Sequence, residues 1–304
     1  MRVLVTGANG FVGRRLQRRL GEASHEVFPC DRDTVDVSDP GSVDRIVAET
    51  APEAVIHLAA ISFVPDSVRD PTLTYRVNFL GARNLIDSIE RLAPGARVLL
   101  IGSGDQYAPM QPGGRPRRET DPLMPRSPYA RTKAAAEQLG GLATERGLAV
   151  VRVRAFNHTG PGQEPRFVAP DFARQIAAIA AGRQAPEMRV GNLASVRDFL
   201  HVADVVDAYL RLLDPGVPST VYNVASGRGT PIGELLEVLG ELAGVEPHVE
   251  VEAARFRPAD ALVGDPTRLR EATGWTPQHS LRDTLRELLE FWKANDAGGH
   301  RAQA

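Results

Sequence analysis

Ser103, Tyr129 and Lys133 are residue types that move protons when a fold brings them together. In the stretch "YARTK" the tyrosine and the lysine stand four residues apart, so on a helix they share one face. A phenol with an ordinary pKa of about 10 exchanges its proton poorly at neutral pH, and an ammonium one helical turn away stabilises the phenolate and lowers that pKa. Ser103 would hydrogen-bond a substrate oxygen while Tyr129 exchanges the proton. Alone, a Tyr–Lys pair is as readily surface decoration as a site. The elements around it decide.

The chain opens with "MRVLVTGANGFVG", a short apolar strand at residues 3–5, a glycine turn, and a helical pattern continued by Leu16 and Leu20. Strand, glycine turn and helix in that order form a dinucleotide site. Gly7 permits the tight turn, Gly10 lets backbone amides approach a pyrophosphate, and Gly13 lets the helix pack close to the strand. Asn9, Phe11 and Val12 belong to the same candidate cofactor surface. About twenty residues on, "HEVFPCDRD" ends in Asp31, placed to bind adenosine ribose hydroxyls; its charge would repel a 2′-phosphate, which leans toward NAD(H). Arg32 could instead receive that phosphate. Asp36 could accept from the adenine amino group beside Val37, or the acids here could cap the helix at residues 41–50. With a nicotinamide nearby, the Tyr–Lys pair acquires a purpose: proton exchange at Tyr129 accompanies hydride transfer by the cofactor.

"AVIHLAA" is a further buried strand whose Leu58, Ala59 and Ala60 would lie against the cofactor, with His57 read as structural. Ser103 follows the strand at residues 98–102, at the carboxyl end where open α/β sheets bind ligands. Strands alternating with helical stretches at residues 71–93 and 128–146 predict an α/β fold, a Rossmann doubly wound parallel sheet with a smaller α/β C-terminal substrate domain. The expected boundaries are 1–156 for the dinucleotide-binding domain, with a return segment near 195–215, and 157–194 with 216–304 for the smaller domain.

The 304 residues include 36 Lys and Arg against 38 Asp and Glu, a formal charge of −2, with no long block of one sign. Nucleic-acid and membrane-surface roles therefore have no electrostatic support. The single cysteine, Cys30, cannot form an internal disulfide, and the first residues lack a signal-peptide pattern, so the protein is expected in the cytoplasm. No apolar run approaches the ~20 residues of a membrane helix. Without secretion, the Asn-His-Thr at Asn157 is not read as a glycosylation acceptor. No cluster has metal-ligand spacing, and no metal is expected.

"TGANGFVG", "HLAA", Ser103 and "YARTK" together resemble the extended short-chain dehydrogenases/reductases, which include the nucleotide-sugar epimerases, dehydratases and reductases. The resemblance covers nearly the whole chain. It implies an NAD(P)-binding domain, a smaller nucleotide-sugar domain, and a homodimer made through a four-helix interface from the helices after "HLAA" and at "YARTK". It also makes "FNHTGPGQ" and the following "RFVAPDFARQI" the crossing from cofactor to substrate: Phe156 on the cofactor side, Asn157 and Val168 on the substrate side.

"VGNLASVRDFLHVADVVDAY", "VYNVASG" and "ARFRPADALVGDPTRLREATGWTP" are most similar to reductases acting on GDP-4-keto-6-deoxy-mannose, which implies Arg197 and Arg257 as diphosphate-binding residues. Dehydratases of the family carry an arginine pair where this chain has "TGPGQ", and a glutamate where it has Asp105. Asp105 remains a candidate catalytic acid, and Gly104 and "YAP" are further departures. The resemblance thus implies reduction of the carbon-4 ketone of a GDP-sugar by NAD(P)H, giving a GDP-6-deoxyhexose such as GDP-D-rhamnose. The alternatives are a 4,6-dehydratase, a 4-epimerase, or a cofactor-binding sensor or scaffold.

The proline- and glycine-rich residues 108–128 are expected to form a loop over the pocket, its Arg115, Arg117 and Arg118 either solvated or meeting phosphate.

Overall fold

The structure, a computed structural model, describes residues 1–252 and 260–297. Its larger sheet contains β1 (Arg2–Thr6), β2 (Glu26–Cys30), β3 (Ala54–His57), β4 (Arg97–Ser103) and β5 (Ala149–Ala155). The next strands in the chain are β6 (Asn157–Thr159), β7 (Glu187–Val190), β8 (Val196–Arg197), β9 (Phe199–His201) and β10 (Val221–Val224). The large sheet runs β10-β5-β4-β3-β1-β2, and every pair in it is parallel.

Both faces of a parallel sheet must be covered, and alternation along each strand sorts its residues between them. Val3, Val5, Ala54, Ile56, Leu99, Val151 and Val153 face one core. Leu16 and Leu20 of α1 (Phe11–Glu22) fill that core together with the return helix at Val202–Leu212. Leu4, Val55, Val98, Leu100 and Val150 face the other. There they meet α2 (Pro40–Thr50), then α3 (Val64–Arg69) and α4 (Pro71–Tyr75) precede a π turn at Arg76–Leu80, and α5 (Gly81–Leu92) and α6 (Pro128–Glu145) complete the layer. The expected doubly wound sheet is present, with Ser103 as the last residue of β4.

The smaller lobe packs α7 (Val168–Ala180) against α9 (Ile232–Ala243) and α11 (Leu281–Ala297), with α8 being the return helix Val202–Leu212. Its short strands are β7 with β12 (His248–Val251), and β8 between β11 (Thr230–Pro231) and β13 (Ala261–Leu262). Beyond the expected division at residue 216 the chain supplies elements to both lobes. β10 pairs with β5 in the large sheet, and α10 (Thr267–Thr273) with Trp275 packs into the core under that sheet. An apolar "VYNV" with a free sheet edge beside β5 is stabilised more there than in a lobe of two- and three-stranded sheets.

Among the described residues no helix is long and apolar enough to cross a membrane.

Candidate active site

The glycine turn after β1 is shaped for close approach. Gly7 has φ +69° and a Cβ there would lie 2.7 Å from the Ala59 amide nitrogen, so only glycine lets the two turns meet. A Cβ on Gly13 would lie 2.4 Å from the Gly7 carbonyl oxygen. The N-terminus of α1 begins at Gly10 with no side-chain cap, leaving its amides directed outward with exposed Asn9 beside them. Leu58, Ala59 and Ala60 flank this turn half-buried. This cradle, which any side chain would fill, fits a dinucleotide pyrophosphate. Phe11 stacks its ring on His158 at 6.2 Å, while Val12 packs on the core.

Asp31 stands at the end of β2, where its carboxylate accepts from the Asp33 amide at 3.0 Å, and Arg32 is exposed beside it. Asp39, not Asp36, caps α2, accepting from Gly41 and Ser42. Asp36 accepts instead from Ser38 at 2.8 Å and is exposed; Val37 is buried against Gly81, its carbonyl taken by Asn84.

At the carboxyl end of β4, Ser103 is buried and caps a 3-10 turn at Gly104–Gln106. Its hydroxyl oxygen accepts from the Asp105 amide at 3.1 Å. Across from it, Ser127 caps α6 and puts Tyr129 in the first turn, near enough to Ser103 for that hydroxyl to bear on the phenol's pKa. Lys133, one turn on and buried, donates to the Ile101 carbonyl at 2.7 Å. The three residues expected to act together are therefore adjacent.

The electrostatics differ from the sequence expectation. Loss of water pushes the Tyr129 phenol well up and the Asp105 charge adds to that, while the neighbouring Ser103 hydroxyl pulls down. Lys133 gives one of its three N–H donors to the Ile101 carbonyl and is itself pushed down to about 8 by burial; the phenol stays raised despite this neighbour. Asp105, held between Tyr129, Arg197 and Asp260, is shifted upward, chiefly by desolvation. His57 is structural as expected: its Nδ1 meets the Thr6 hydroxyl at 2.8 Å, and burial pushes it down to about 3.

Asn157, Val168 and Arg197 line one cavity of about 320 Å³ between β6, α7 and β8, together with Arg166, Asn192 and Ser195. Arg197 already holds a carboxylate, donating to Asp260 at 2.8 Å. Arg257 lies outside the described residues. Phe156, expected at the cofactor, instead packs its ring in a small core with Tyr107, Ala225 and Leu262. That ring explains Gly104: a Cβ there would lie 3.0 Å from it. Within the loop at 108–128 Arg115 pairs with Asp121, and Arg118 ties the loop to Asp265, so these two arginines are engaged with carboxylates rather than directed at a phosphate.

Sequence reasoning missed Arg166, Asn192 and Ser195, which stand on loops whose approach to Asn157 no local pattern encodes. It also missed Gln106, Glu137 and Arg154 beneath the catalytic cluster. Glu137 was readable, four residues beyond Lys133 on the same helical face.

Glycine cradle, parallel sheet and the Ser103–Tyr129–Lys133 cluster define a Rossmann-type short-chain dehydrogenase/reductase. The sequence model of the GDP-mannose 4,6 dehydratase family matches residues 32–288, and the chain belongs to that family. It is similar to the GDP-6-deoxy-D-mannose reductase of Pseudomonas aeruginosa, 40% identical over 300 residues that cover 96% of this chain and 97% of that protein. The solved structure of RMD from Pseudomonas aeruginosa complexed with NADPH superposes with a TM-score of 0.89 at 38% identity, over 97% of this chain and 100% of that one. The Thermus thermophilus UDP-glucose 4-epimerase in complex with NAD superposes with a TM-score of 0.85 at 30% identity, over 96% of this chain and 99% of that one.

Proposed function

We propose that the protein reduces the carbon-4 ketone of GDP-4-keto-6-deoxy-mannose to a GDP-6-deoxyhexose such as GDP-D-rhamnose. The observation that supports this most is the juxtaposition of Ser103, Tyr129 and Lys133 at the carboxyl end of β4, in a chain similar over its length to a GDP-6-deoxy-D-mannose reductase. When bound, the reduced nicotinamide supplies the hydride. Gly7, Gly10, Gly13 and the α1 N-terminus would hold its pyrophosphate, Asp31 its adenosine ribose, and Ala59 and Ala60 would border it.

Ser103 donates its hydroxyl proton as a hydrogen bond to the ketone oxygen, because its own oxygen is already turned toward the Asp105 amide. Tyr129, protonated at neutral pH, delivers the proton that completes the alcohol. Lys133 keeps a positive charge one turn away and offers a donor to the nicotinamide ribose. Asn157, Val168 and Arg197 would seat the sugar and diphosphate in the cavity beside them, the substrate's phosphates competing with Asp260 for Arg197.

Ketone reduction asks for one hydrogen-bond donor and one acid, both present. Dehydration asks in addition for a carboxylate placed at carbon 5, and Asp105 is one methylene shorter than the family's glutamate. The protein would act in the cytoplasm as a homodimer. Leu73 and Tyr75 of α4 and Leu142 of α6 leave apolar surface exposed on the helices that would pair.

A paired assay tests the function. Reduced cofactor should disappear when GDP-4-keto-6-deoxy-mannose is supplied, and GDP-mannose alone should persist. Loss of GDP-mannose without added reductant would make the protein the dehydratase.

A further inference from the structure

Gln106 is wholly buried three residues beyond Ser103, and both ends of its amide are used. Its Oε1 accepts from the Ser103 amide at 2.9 Å. Its Nε2 donates to Glu137 Oε2 at 2.6 Å. Glu137 in turn holds Arg154 of β5 by a two-pronged pairing, Nε to Oε2 at 2.9 Å and Nη2 to Oε1 at 2.6 Å. Arg154 continues to the Tyr107 hydroxyl at 2.6 Å, which donates to Asn223 of β10 at 2.8 Å, and to the Glu119 carbonyl of the pocket loop at 3.0 Å.

Gly102 is part of the same arrangement, since a Cβ there would lie 2.5 Å from Gln106 Oε1. The strand is thinned at that point so that the amide can reach behind Ser103. Glu137 lies on the face of α6 that carries Tyr129 and Lys133, eight and four residues on from them. A buried ion pair seldom adds net stability over an apolar packing of the same shape, and its best-attested use is to fix register. Here the register runs between the turn that holds Ser103 and the helix that holds Tyr129.

We propose that Gln106, Glu137 and Arg154 are positioning residues: a buried brace that sets the Ser103–Tyr129 separation from behind the site and thereby the geometry of proton delivery. None of the three touches the cavity that would hold the substrate. The brace rests on the reductase reading for its kinetic readout only.

The test is Gln106→Met, which keeps the volume and removes both hydrogen bonds. The brace predicts a kcat lower by about 10- to 100-fold, the scale of a small misplacement of reacting groups, with KM for sugar nucleotide and cofactor within about twofold. It also predicts a larger primary isotope effect from 4-deuterated reduced cofactor. As a readout apart from turnover, the Tyr129 ring carbon resonance, followed by NMR at neutral pH in protein carrying [13Cζ]tyrosine and assigned with Tyr129→Phe, should shift in Gln106→Met, because Ser103 no longer holds its place beside the phenol.

Glu137→Gln should act in the same direction, and adding Gln106→Glu to it, which returns the negative charge to the cluster, should recover part of the loss. If Glu137→Gln does not fold, Gln106→Met still decides. Lower thermal stability with unchanged kcat and an unchanged Tyr129 resonance would reduce the network to a structural role and overturn the proposal. Were the wild type to reduce no GDP-4-keto-sugar, the functional reading would fail while the Tyr129 resonance still tested the brace.

Discussion

The amide of Asp105 donates to the hydroxyl oxygen of Ser103 at 3.1 Å, which turns the Ser103 proton away from the backbone and toward the site. The hydroxyl is thus oriented before substrate arrives, the condition under which a single hydrogen-bond donor is worth most to a developing oxyanion. Ser103→Ala should lower kcat by about 10²- to 10³-fold while KM for the sugar nucleotide changes little. Steady-state kinetics with the purified variant check this; a KM effect without a kcat effect would assign Ser103 to binding.

The proton donor is a phenol held high by burial, so in the reductive direction it stays protonated across neutral pH. The titration that matters near neutrality is that of Lys133, pushed down to about 8. Its charge is present below that value and lost above it, so the reductive kcat should fall as pH rises through about 8. Lys133→Arg, which does not titrate there, should retain partial activity without that limb. A pH–rate profile of both proteins decides.

The proposed role of Asp31 in cofactor preference rests on its carboxylate at the end of β2, steadied by the Asp33 amide. Asp31→Ala should shift the ratio of kcat/KM for NADH over NADPH toward NADPH by roughly tenfold, about 1.4 kcal/mol. An unaltered ratio would move the role to Arg32.

His57 is neutral inside the fold, with a pKa of about 3 against an ordinary 6.5. Between those values the unfolded chain binds a proton that the folded chain does not. Stability is therefore full above about pH 6.5 and falls as pH drops, by about 1.4 kcal/mol for each pH unit. Half-buried His158, which stacks on Phe11, is shifted the same way by loss of water and adds to the slope. Denaturant unfolding between pH 7 and pH 5 should show it, and His57→Gln should flatten it.

Tyr75 and Leu73 expose 47% and 42% of their surface on α4, next to a groove bounded by Pro128 and Arg131 of α6. A homodimer through these helices predicts that Tyr75→Asp sediments as a monomer at concentrations where the parent chain is a dimer. Identical sedimentation of the two would place any interface elsewhere.

Legibility in the sequence followed how local each signal was. The glycine turn, the apolar strands and the Tyr129–Lys133 spacing are local patterns, and each fell where expected. The position of β10 was not legible, because "VYNV" reads the same at the edge of either sheet and only its partner β5 decides. Nor was the role of Phe156, an aromatic beside the site whose ring turns back into the core. Lys133 shows the same limit electrostatically: spacing placed it beside Tyr129, but the Ile101 carbonyl that claims its ammonium belongs to another element.

In the proposed reaction carbon 4 of the sugar receives a hydride and its oxygen receives the Tyr129 proton. Incubating the protein with GDP-4-keto-6-deoxy-mannose and a 4-deuterated reduced nicotinamide, then locating deuterium in the product by NMR, measures this directly. One deuterium at carbon 4 is expected, stoichiometric with cofactor oxidised and abolished by Tyr129→Phe. A product without deuterium at carbon 4, or turnover without net oxidation of the cofactor, would contradict it.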